Sequence, residues 1–282
     1  MTKRPEGGEI HGMARKRAAG HTILVTGAAG GIGGGIARRL IADGWQVFAS
    51  DVDLDGLARL AQEVGAEDRL TYGALDVREG EQAERLAETL REKGAGLAGL
   101  VNAAGLLQDL FPLLDMDPAL ERKIWDVNYF GSVTCTKTFA PLMIECGGGA
   151  IVNITSINEE RPMPLHAYAP SKVALGALTK LSAGEFGPVG LRVNAIAPGF
   201  TLTPVMKEKI RTGKRDVAAI EAATAMGRLI EVEEIASVAS FLLSDDARAV
   251  TGASIPVDAG WLATAHWMNF RGLAEGGQTE TG

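Results

Sequence analysis

Short apolar runs alternate with longer stretches of helical periodicity along most of this chain. The apolar runs predict seven β-strands, at 21–26, 45–50, 69–75, 97–103, 149–155, 191–197 and 253–259. The periodic stretches predict helices, at 33–43, 54–63, 79–93, 118–146, 165–186 and 232–244. Strands that alternate with helices require crossover connections, and these give a parallel sheet with helices on both faces. The pattern therefore predicts an α/β fold, a doubly wound parallel sheet in a single domain.

The patterned part of the chain covers 20–263, and we expect it to be one domain. A length of 282 residues suits a single α/β domain with tails. The ends, 1–19 and 264–282, have weaker patterns and are expected to be tails. The C-terminal tail contains Trp267 and Phe270 and is more aromatic than a solvated end requires. We therefore expect this tail to pack at a subunit interface.

Composition and charge exclude several classes of partner. The formal net charge is −7 and no basic stripe is present, which argues against nucleic-acid binding. No apolar run is long enough to span a bilayer, and the N-terminal residues lack the apolar centre of a secretory signal. The four histidines are scattered and form no cluster with cysteine. We therefore expect no nucleic-acid partner, no membrane partner and no metal.

The two cysteines, Cys135 and Cys146, lie eleven residues apart in one predicted helix. At the helical rise their Cα atoms would be about 16 Å apart, whereas a disulfide requires about 4.4–6.8 Å. We expect two free thiols and, from these, a cytoplasmic location.

A glycine-rich turn separates the first predicted strand from the first predicted helix. Residues 26–33 read TGAAGGIG, with the spacing T-G-x-x-x-G-x-G. Glycine lets the backbone adopt a positive φ and approach an anion closely, and a helix N-terminus attracts phosphate. A tight turn without a ligand is one interpretation, but the strand–turn–helix context favours a dinucleotide site. The candidate cofactor contacts in this turn are Gly27, Gly31, Ile32 and Gly33.

Asp51 follows the second predicted strand, where a carboxylate can accept hydrogen bonds from both ribose hydroxyls. The same charge would repel a 2′-phosphate, and the glycine turn contains no Lys or Arg to bind one. These features predict NAD rather than NADP. A carboxylate of an ordinary surface loop is the alternative interpretation of Asp51.

Tyr168 and Lys172 are four residues apart at the start of a predicted helix, so both face one side. An ammonium near a phenol favours the phenolate, and we expect Lys172 to lower the pKa of Tyr168 toward the range of an acid/base catalyst. Ser156 ends the fifth predicted strand, where it can hold a substrate oxygen beside the phenol. Taken singly, these residues would also suit a surface pair and a turn serine.

The order of these motifs resembles that of the short-chain dehydrogenase/reductase family, in its shorter single-domain form. The resemblance covers about residues 20–263 and depends on TGAAGGIG, Asp51, Asp76-Val77, Asn102-Ala103-Ala104-Gly105, Asn128, Ser156, Tyr168-x-x-x-Lys172, and Pro198-Gly199 followed by Thr203. Each motif alone is unspecific, but the ordered set is specific. It implies a Rossmann-like fold, a nicotinamide cofactor and self-association as a homotetramer or dimer.

The resemblance also implies the roles of four catalytic residues. Tyr168 would be the general acid/base, and Lys172 would hold the nicotinamide ribose and lower the pKa of Tyr168. Ser156 would orient the substrate oxygen. Asn128, in the long predicted helix, would anchor a water that links Lys172 to solvent.

Further cofactor contacts are implied at the ends of other strands. Asp76 and Val77 would flank the adenine, and the run Asn102, Ala103, Ala104 and Gly105 would line the cofactor. Pro198 and Gly199 would pass close to the nicotinamide, and Thr201 and Thr203 would follow them, with Thr203 at the carboxamide.

Two positions and one spacing depart from the usual family pattern. Ala103 stands where asparagine is more common, and Thr201 replaces a more frequent aliphatic residue. The gap between Ser156 and Tyr168 is one residue shorter than is common, and Thr155 would restore it. Ser156 matches its strand-end run better and remains the prediction.

The substrate pocket is expected around residues 158–162 and His166. The charged residues of 158–162 suit sugar hydroxyls or, through Arg161, a carboxylate, although a solvated loop is the alternative. His166 would touch substrate or simply start the helix. We predict an NAD-dependent oxidoreductase acting on a secondary alcohol, with a sugar, polyol or cyclic alcohol favoured. The alternatives are an NADPH-dependent 3-oxoacyl-type ketone reductase and a catalytically silent NAD-binding regulator.

Overall fold

The computed structural model describes residues 21–66 and 68–266. The predicted N-terminal tail lies outside the described residues, and so does the predicted C-terminal tail beyond His266, including Trp267 and Phe270.

A sheet of seven strands, all paired in parallel, forms the middle layer. The strands are β1 (His21–Thr26), β2 (Gln46–Asp51), β3 (Leu70–Ala74), β4 (Gly96–Asn102), β5 (Gly149–Ile154), β6 (Leu191–Pro198) and β7 (Ser254–Val257). Their order across the sheet is β3-β2-β1-β4-β5-β6-β7. The sequence prediction of a doubly wound, Rossmann-like parallel sheet in one domain is confirmed.

Helices cover both faces of this sheet. They are α1 (Gly31–Ala42), α2 (Leu54–Val64), α3 (Gly80–Glu92), α4 (Pro118–Trp125), α5 (Gly131–Glu145), α6 (Tyr168–Phe186), α7 (Pro204–Arg211), α8 (Val217–Ala223), α9 (Val232–Leu243) and α10 (Trp261–Thr264). None of the helices within the described ranges is long and apolar enough to cross a membrane.

Four features of the helices and strands differ from the prediction. The predicted helix 118–146 is interrupted by a π-helical turn, Asp126–Phe130. Helices α7 and α8 were not predicted. They are short, and Ile220 is the one buried side chain in them. The predicted helix 165–186 begins only at Tyr168. The last strand ends at Val257 because Ala259 turns the chain with φ of 51°.

The core lies on both sides of the sheet, as the alternation along β1 shows. Ile23 and Val25 pack toward α1, α2 and α9 on one face. Leu24 packs toward α3, α5 and α6 on the other face. All three side chains are fully buried, as expected for a central parallel strand that is covered on both sides.

Close packing between α1 and α9 requires a small residue in α1. A Cβ atom at Gly35 would lie 2.1 Å from Cγ1 of Val232. The glycines of α1 therefore bring this helix against α9, which holds the start of α1 in place.

The strand order reverses at β1, which pairs with β2 on one side and with β4 on the other. Crossovers leave the two sides of this point in opposite directions, so a crevice opens at the carboxyl ends of the strands. The predicted site residues Asp51, Asn102 and Ser156 stand at or just beyond these carboxyl ends.

Candidate active site

The glycine turn between β1 and α1 depends on the absence of side chains. Gly27 has φ of 68°, and a Cβ there would lie 2.6 Å from the Cα of Ala104. A Cβ at Gly33 would lie 2.2 Å from the carbonyl oxygen of Gly27. The N-cap residue of α1, Gly30, provides no side-chain cap. The first N–H groups of α1 are therefore available to a phosphate.

A second segment faces this turn across a narrow gap. A Cβ at Gly31 would lie 2.8 Å from Cδ of Pro204 and 3.0 Å from Cβ of Thr203. Thr203 is the N-cap of α7, and its hydroxyl accepts a hydrogen bond of 3.2 Å from the N–H of Met206. The turn and the start of α7 form the two walls of a crevice, and Ile32 lies partly buried beside it.

Thr26 connects the glycine turn to the end of β4. Its hydroxyl accepts hydrogen bonds from the N–H groups of Ala103 (3.1 Å) and Ala104 (3.2 Å) and donates one to the carbonyl of Val101 (3.2 Å). The sequence analysis assigned Thr26 no role of its own, although its position at a strand end was the available signal. Because of this contact, the N–H groups of Ala103 and Ala104 face Thr26.

The side chain of Asn102 points into the protein. Its Nδ2 donates to Oδ1 of Asn153 (2.8 Å) and to the hydroxyl of Thr136 (3.3 Å). Asn153 in turn donates to the hydroxyl of Thr179 in α6 (2.9 Å). Asn102 was expected to line the cofactor, but its side chain instead links β4 to β5 and to α5.

Asp51 stands beside the glycine turn at the end of β2. One carboxylate oxygen accepts a hydrogen bond of 3.0 Å from the backbone N–H of Ala29. The other accepts a hydrogen bond of 3.1 Å from the backbone N–H of Asp53. Within residues 21–66 and 68–266 no cationic side chain forms an ion pair with Asp51, so its charge is available to a ligand.

The predicted adenine contacts have other partners. Arg78 donates hydrogen bonds to both carboxylate oxygens of Asp76, and these bonds hold the pKa of Asp76 below its usual range. Val77 is 6% exposed and packs in the core against Gly131, where an added Cβ would lie 2.4 Å from Cγ2 of Val77. The side chain of Val77 therefore belongs to the core more than to the crevice.

The segment after β6 is held by backbone contacts. The N–H of Gly199 donates to the carbonyl of Val257 (2.9 Å), and a Cβ at Gly199 would lie 2.8 Å from the Cα of Asp258. The hydroxyl of Thr201 donates to the carbonyl of Gly199 (3.1 Å). Pro198 ends β6 just before this turn. These contacts direct the chain from β6 to Thr203 at the crevice wall.

Ser156 and Tyr168 are brought together by the turn after β5 and the start of α6. The hydroxyl of Ser156 acts on the phenol of Tyr168 and favours its ionised form. The neighbouring hydroxyl, that of Thr155, donates to the carbonyl of Ile196 (3.0 Å) and is committed to the sheet. The structure therefore places Ser156, and not Thr155, beside the phenol.

Burial sets the pKa of the Tyr168 hydroxyl. Exclusion of water raises this pKa above its ordinary value, and the hydrogen bond with Ser156 opposes the change. A lowered pKa, caused by Lys172, was expected from the sequence, and this expectation is wrong. Lys172 lies close, with Nζ 5.7 Å from the centre of the Tyr168 ring, but burial raises the pKa.

Lys172 is buried at the bottom of the site. It is 4% exposed, and its Nζ donates a hydrogen bond of 2.8 Å to the carbonyl of Ile154. Burial lowers the pKa of this ammonium from 10.5 to about 8. A lysine in this state changes charge near neutral pH.

Asn128 lies in the π-helical turn, and its side chain forms two hydrogen bonds with the backbone of Leu106. Oδ1 accepts a hydrogen bond of 2.7 Å from the N–H of Leu106, and Nδ2 donates to the carbonyl of Leu106 (3.1 Å). A Cβ at Gly105 would lie 3.4 Å from Oδ1 of Asn128 and 3.6 Å from Nζ of Lys172. The four predicted catalytic residues therefore share one region, and a π-helical turn inside a helix is typical of functional sites.

Asn158 is a site residue that the sequence analysis treated only as part of a charged loop. Its Nδ2 and its backbone N–H both donate to the hydroxyl oxygen of Ser156, at 3.0 Å and 3.2 Å. Its Oδ1 accepts from the N–H of Met163 (2.9 Å), and the side chain is buried. Asn158 therefore orients the hydroxyl that faces Tyr168.

An open cavity of about 340 Å³ lies beside the start of α6. Its lining combines apolar residues with one imidazole: Leu110, Phe111, Pro112, Pro164 and His166. Arg161 lies nearby in sequence, with Nη2 3.3 Å from Nδ1 of His266. Over the part of the chain that the structure describes, no group of His, Cys, Asp and Glu side chains is arranged to hold a metal.

Comparison with known proteins assigns this arrangement to a family. The family model described as enoyl-(acyl carrier protein) reductase matches residues 27–262. Galactitol 2-dehydrogenase (L-tagatose-forming) of Cereibacter sphaeroides is 38% identical, over 87% of this chain and 96% of that protein. The 2,5-dichloro-2,5-cyclohexadiene-1,4-diol dehydrogenase of Sphingobium indicum is 34% identical, over 87% of this chain and 98% of its own. The chain belongs to the short-chain dehydrogenase/reductase family of oxidoreductases.

Two further matches extend the comparison. An uncharacterized short-chain type dehydrogenase/reductase of Sinorhizobium fredii is 36% identical, and the match spans 86% of this chain but only 44% of that longer protein. The solved structure of ElxO with NADP bound has a TM-score of 0.81 and 27% identity, over 86% of this chain and 98% of that one.

The family implies a nicotinamide cofactor, and the described residues fit one. The turn at Gly27 and Gly31 leaves space that a Cβ would fill, and the N-terminus of α1 has no side-chain cap. Asp51 stands beside this turn at the end of β2, where a carboxylate can bind ribose hydroxyls, and has no ion-pair partner in 21–66 and 68–266.

Proposed function

We propose that this protein is an NAD-dependent dehydrogenase that oxidises a secondary alcohol of a polyol or a cyclic alcohol. The observation that carries the proposal is the position of Lys172, whose Nζ lies 5.7 Å from the centre of the Tyr168 ring. The hydroxyl of Ser156 also acts on this phenol. A phenol so placed can move a proton to or from a substrate oxygen that Ser156 also contacts.

In the proposed reaction, Tyr168 removes the proton of the substrate hydroxyl while the hydroxyl of Ser156 holds the same oxygen. The chemistry supplied by a bound nicotinamide is acceptance of a hydride from the carbinol carbon. The C–H and O–H bonds of the alcohol break, and a carbonyl, a proton and the reduced cofactor result. Lys172 lies beside the phenol, where its Nζ can hold the ribose of the cofactor, and Asn128 holds the backbone of Leu106.

Asp51 supports NAD as the cofactor. Its carboxylate faces the glycine turn without a cationic partner among the described side chains, so a 2′-phosphate would meet an unopposed negative charge. The neighbour ElxO has NADP bound, so the fold by itself does not favour NAD. The local charge at Asp51 is therefore the argument for NAD.

The substrate class rests on the relatives and on the cavity. The relatives named above act on galactitol and on a cyclohexadienediol, both of which carry secondary hydroxyls. The cavity beside α6 is mostly apolar, with His166 as the polar group. This lining favours the cyclic alcohol, whose ring can contact the apolar residues while one hydroxyl meets His166.

Purified protein assayed with NAD and NADP against polyols, cyclic diols and hydroxy acids would test the proposal. We expect turnover of a polyol or cyclic diol, with a higher kcat/KM for NAD. We expect Tyr168→Phe to bind NADH normally and to have no measurable turnover. Turnover of Tyr168→Phe equal to that of the wild type would refute the acid/base role, and a preference for NADP would refute the cofactor.

Self-association and a cytoplasmic location are part of the same proposal. Two helices present exposed apolar side chains, Phe130 and Ile144 around α5 and Val173 and Leu181 on α6, which support a homotetramer or dimer. Both cysteines are free thiols, which supports a reducing compartment. Light scattering on the protein as it elutes from a size-exclusion column would give its mass. The mass of a monomer would contradict the proposed self-association.

A further inference from the structure

Gln108 is a buried polar residue in an exposed loop. The loop leads from the end of β4 toward α4, and its neighbouring side chains Leu107 and Asp109 are exposed. Gln108 itself is only 1% exposed. The apolar side chain of Leu107 is therefore exposed while the amide of Gln108 is buried, which is the reverse of the usual preference of these residue types.

The carboxamide of Gln108 caps the helix that carries Tyr168. Its Oε1 accepts a hydrogen bond of 2.8 Å from the N–H of Ala167 and one of 3.1 Å from the N–H of Tyr168. Ala167, the N-cap residue, has no side chain that can cap the helix. Gln108 therefore provides this cap from a residue 60 positions away in the chain.

The orientation of this amide is fixed by its partners. Two N–H groups point at one atom of Gln108, so that atom must be the carbonyl oxygen. The Nε2 atom is then turned away and has no hydrogen-bond partner among the residues that the structure describes. A buried N–H group without a partner is costly. Gln108 therefore gives up one hydrogen bond while it holds the first turn of α6.

The same loop is tied to other parts of the site. Two positions earlier, both backbone groups of Leu106 are bonded to the side chain of Asn128. One position later, Asp109 forms an ion pair of 2.7 Å with Lys209 of α7. The loop thus connects Asn128, the start of α6 and the crevice wall, and Gln108 is its contact with Tyr168.

We propose that Gln108 is the positioning residue for Tyr168: its carbonyl oxygen fixes the first turn of α6 and so holds the phenol against Ser156. The inference rests on the proposed function of Tyr168 as acid/base. Gln108 acts through the backbone of Tyr168 and has no part in proton transfer. Loss of its acceptor oxygen lowers kcat, whereas cofactor binding is unchanged.

Two substitutions separate the acceptor from the rest of the side chain. Gln108→Met removes the acceptor and keeps the length, while Gln108→Glu keeps an acceptor oxygen and removes the unpaired donor. The expected result is a fall in kcat of about 10- to 100-fold for Gln108→Met, with near-normal KM for NAD, and a substantial recovery in Gln108→Glu. Leu107→Ala, at the exposed neighbour, is the matched control and should keep wild-type kinetics.

The Glu variant also provides a pH readout. A carboxylate held by the N–H groups of Ala167 and Tyr168 at a helix N-terminus is ionised. Its charge would raise the pKa of the phenol. Because the ionised phenol is the base in alcohol oxidation, the acidic limb of the rate profile should move up by about 1 unit.

The same effect can be measured without a substrate. The chain contains three tyrosines, and the ¹³C resonance of Tyr168 in tyrosine-labelled protein can be assigned by its absence in Tyr168→Phe. We expect this resonance, and not those of Tyr72 and Tyr129, to shift in Gln108→Met and to titrate at higher pH in Gln108→Glu.

Each remaining outcome overturns the inference. Unchanged kcat and an unchanged Tyr168 resonance in Gln108→Met would show that the cap does not position the phenol. Equal losses in the Met and Glu variants would show that the acceptor oxygen is not what matters. If Gln108→Met does not fold, Gln108→Glu still tests the inference: a Tyr168 resonance that titrates as in the wild type would overturn it. Normal turnover of Tyr168→Phe would instead refute the proposed function and leave the capping contact as a separate observation.

Discussion

The ammonium of Lys172 donates a hydrogen bond of 2.8 Å to the carbonyl oxygen of Ile154, at the last residue of β5. This contact holds a charge almost completely inside the protein, since Lys172 is 4% exposed. One hydrogen bond does not replace the water that the ammonium has lost, so burial lowers its pKa to about 8.

This depressed pKa predicts how stability depends on pH. Below about pH 8 the lysine is charged in both states, and its contribution does not change. Between about 8 and 10.5 the unfolded chain binds more protons than the folded one, so the free energy of unfolding rises with pH. The full gain is about 3 kcal/mol. Above pH 10 the raised pKa of Tyr168 acts in the opposite direction.

Lys172→Met should remove this rise. Urea unfolding of the cofactor-free protein between pH 7 and 9.5 would measure it, with Lys180→Met, at an exposed position of α6, as the matched control. We expect the control to follow the wild type and Lys172→Met to show a flatter profile. Parallel profiles for all three proteins would contradict the assignment.

Asn158 is expected to matter for catalysis because it directs the hydroxyl of Ser156. Asn158→Asp keeps an acceptor for the N–H of Met163 and the backbone donor to Ser156, but it loses the side-chain donor. We expect kcat to fall by about 10- to 100-fold, since small displacements of a reacting group are costly. NADH affinity, measured by fluorescence titration, should be unchanged. Glu160→Gln, on the exposed side of the same loop, should behave as the wild type, and equal kinetics for the two variants would exclude this role.

Removal of the charge at Asp51 should change cofactor preference. Asp51→Ser keeps a group that can accept from Ala29 and removes the repulsion of a 2′-phosphate. We expect the ratio of kcat/KM for NAD over NADP to fall by about tenfold or more, which corresponds to about 1.4 kcal/mol. Asp55→Asn, an exposed carboxylate in the first turn of α2, is the control for a general charge effect. A similar fall of this ratio in both variants would show that Asp51 does not determine the cofactor preference through its place beside the glycine turn.

The contact between α1 and α9 predicts a stability effect far from the chemistry. In Gly35→Ala the added methyl would overlap Val232, so we expect a loss of about 1–3 kcal/mol. Val232→Ala in the same protein should recover part of the loss. Gly184→Ala, in α6 with open space around it, should instead stabilise by about 0.5–1 kcal/mol. Thermal unfolding of the four proteins would measure these differences, and a neutral Gly35→Ala would contradict the close packing.

The layered fold was predictable because its signals are local. Parallel strands that are buried on both faces are apolar in their middle, as β1 is from Ile23 to Val25, and the helices between them carry a periodic apolar face. The turn at Gly27 was predictable for the same reason, since a positive φ and a close approach both require glycine. Where little is buried, as in α7 and α8, the signal was too weak to predict a helix.

What the sequence by itself determined is the order of the elements and the set of motifs, including Ser156, Tyr168 and Lys172 with their spacing. The tertiary structure decided which groups those residues meet, because these contacts join segments far apart in the chain. It turned the side chain of Asn102 into the core, made burial the main influence on the pKa of Tyr168, and brought Gln108 to the first turn of α6. Hydrogen bonds and desolvation depend on three-dimensional neighbours, which motif spacing does not specify.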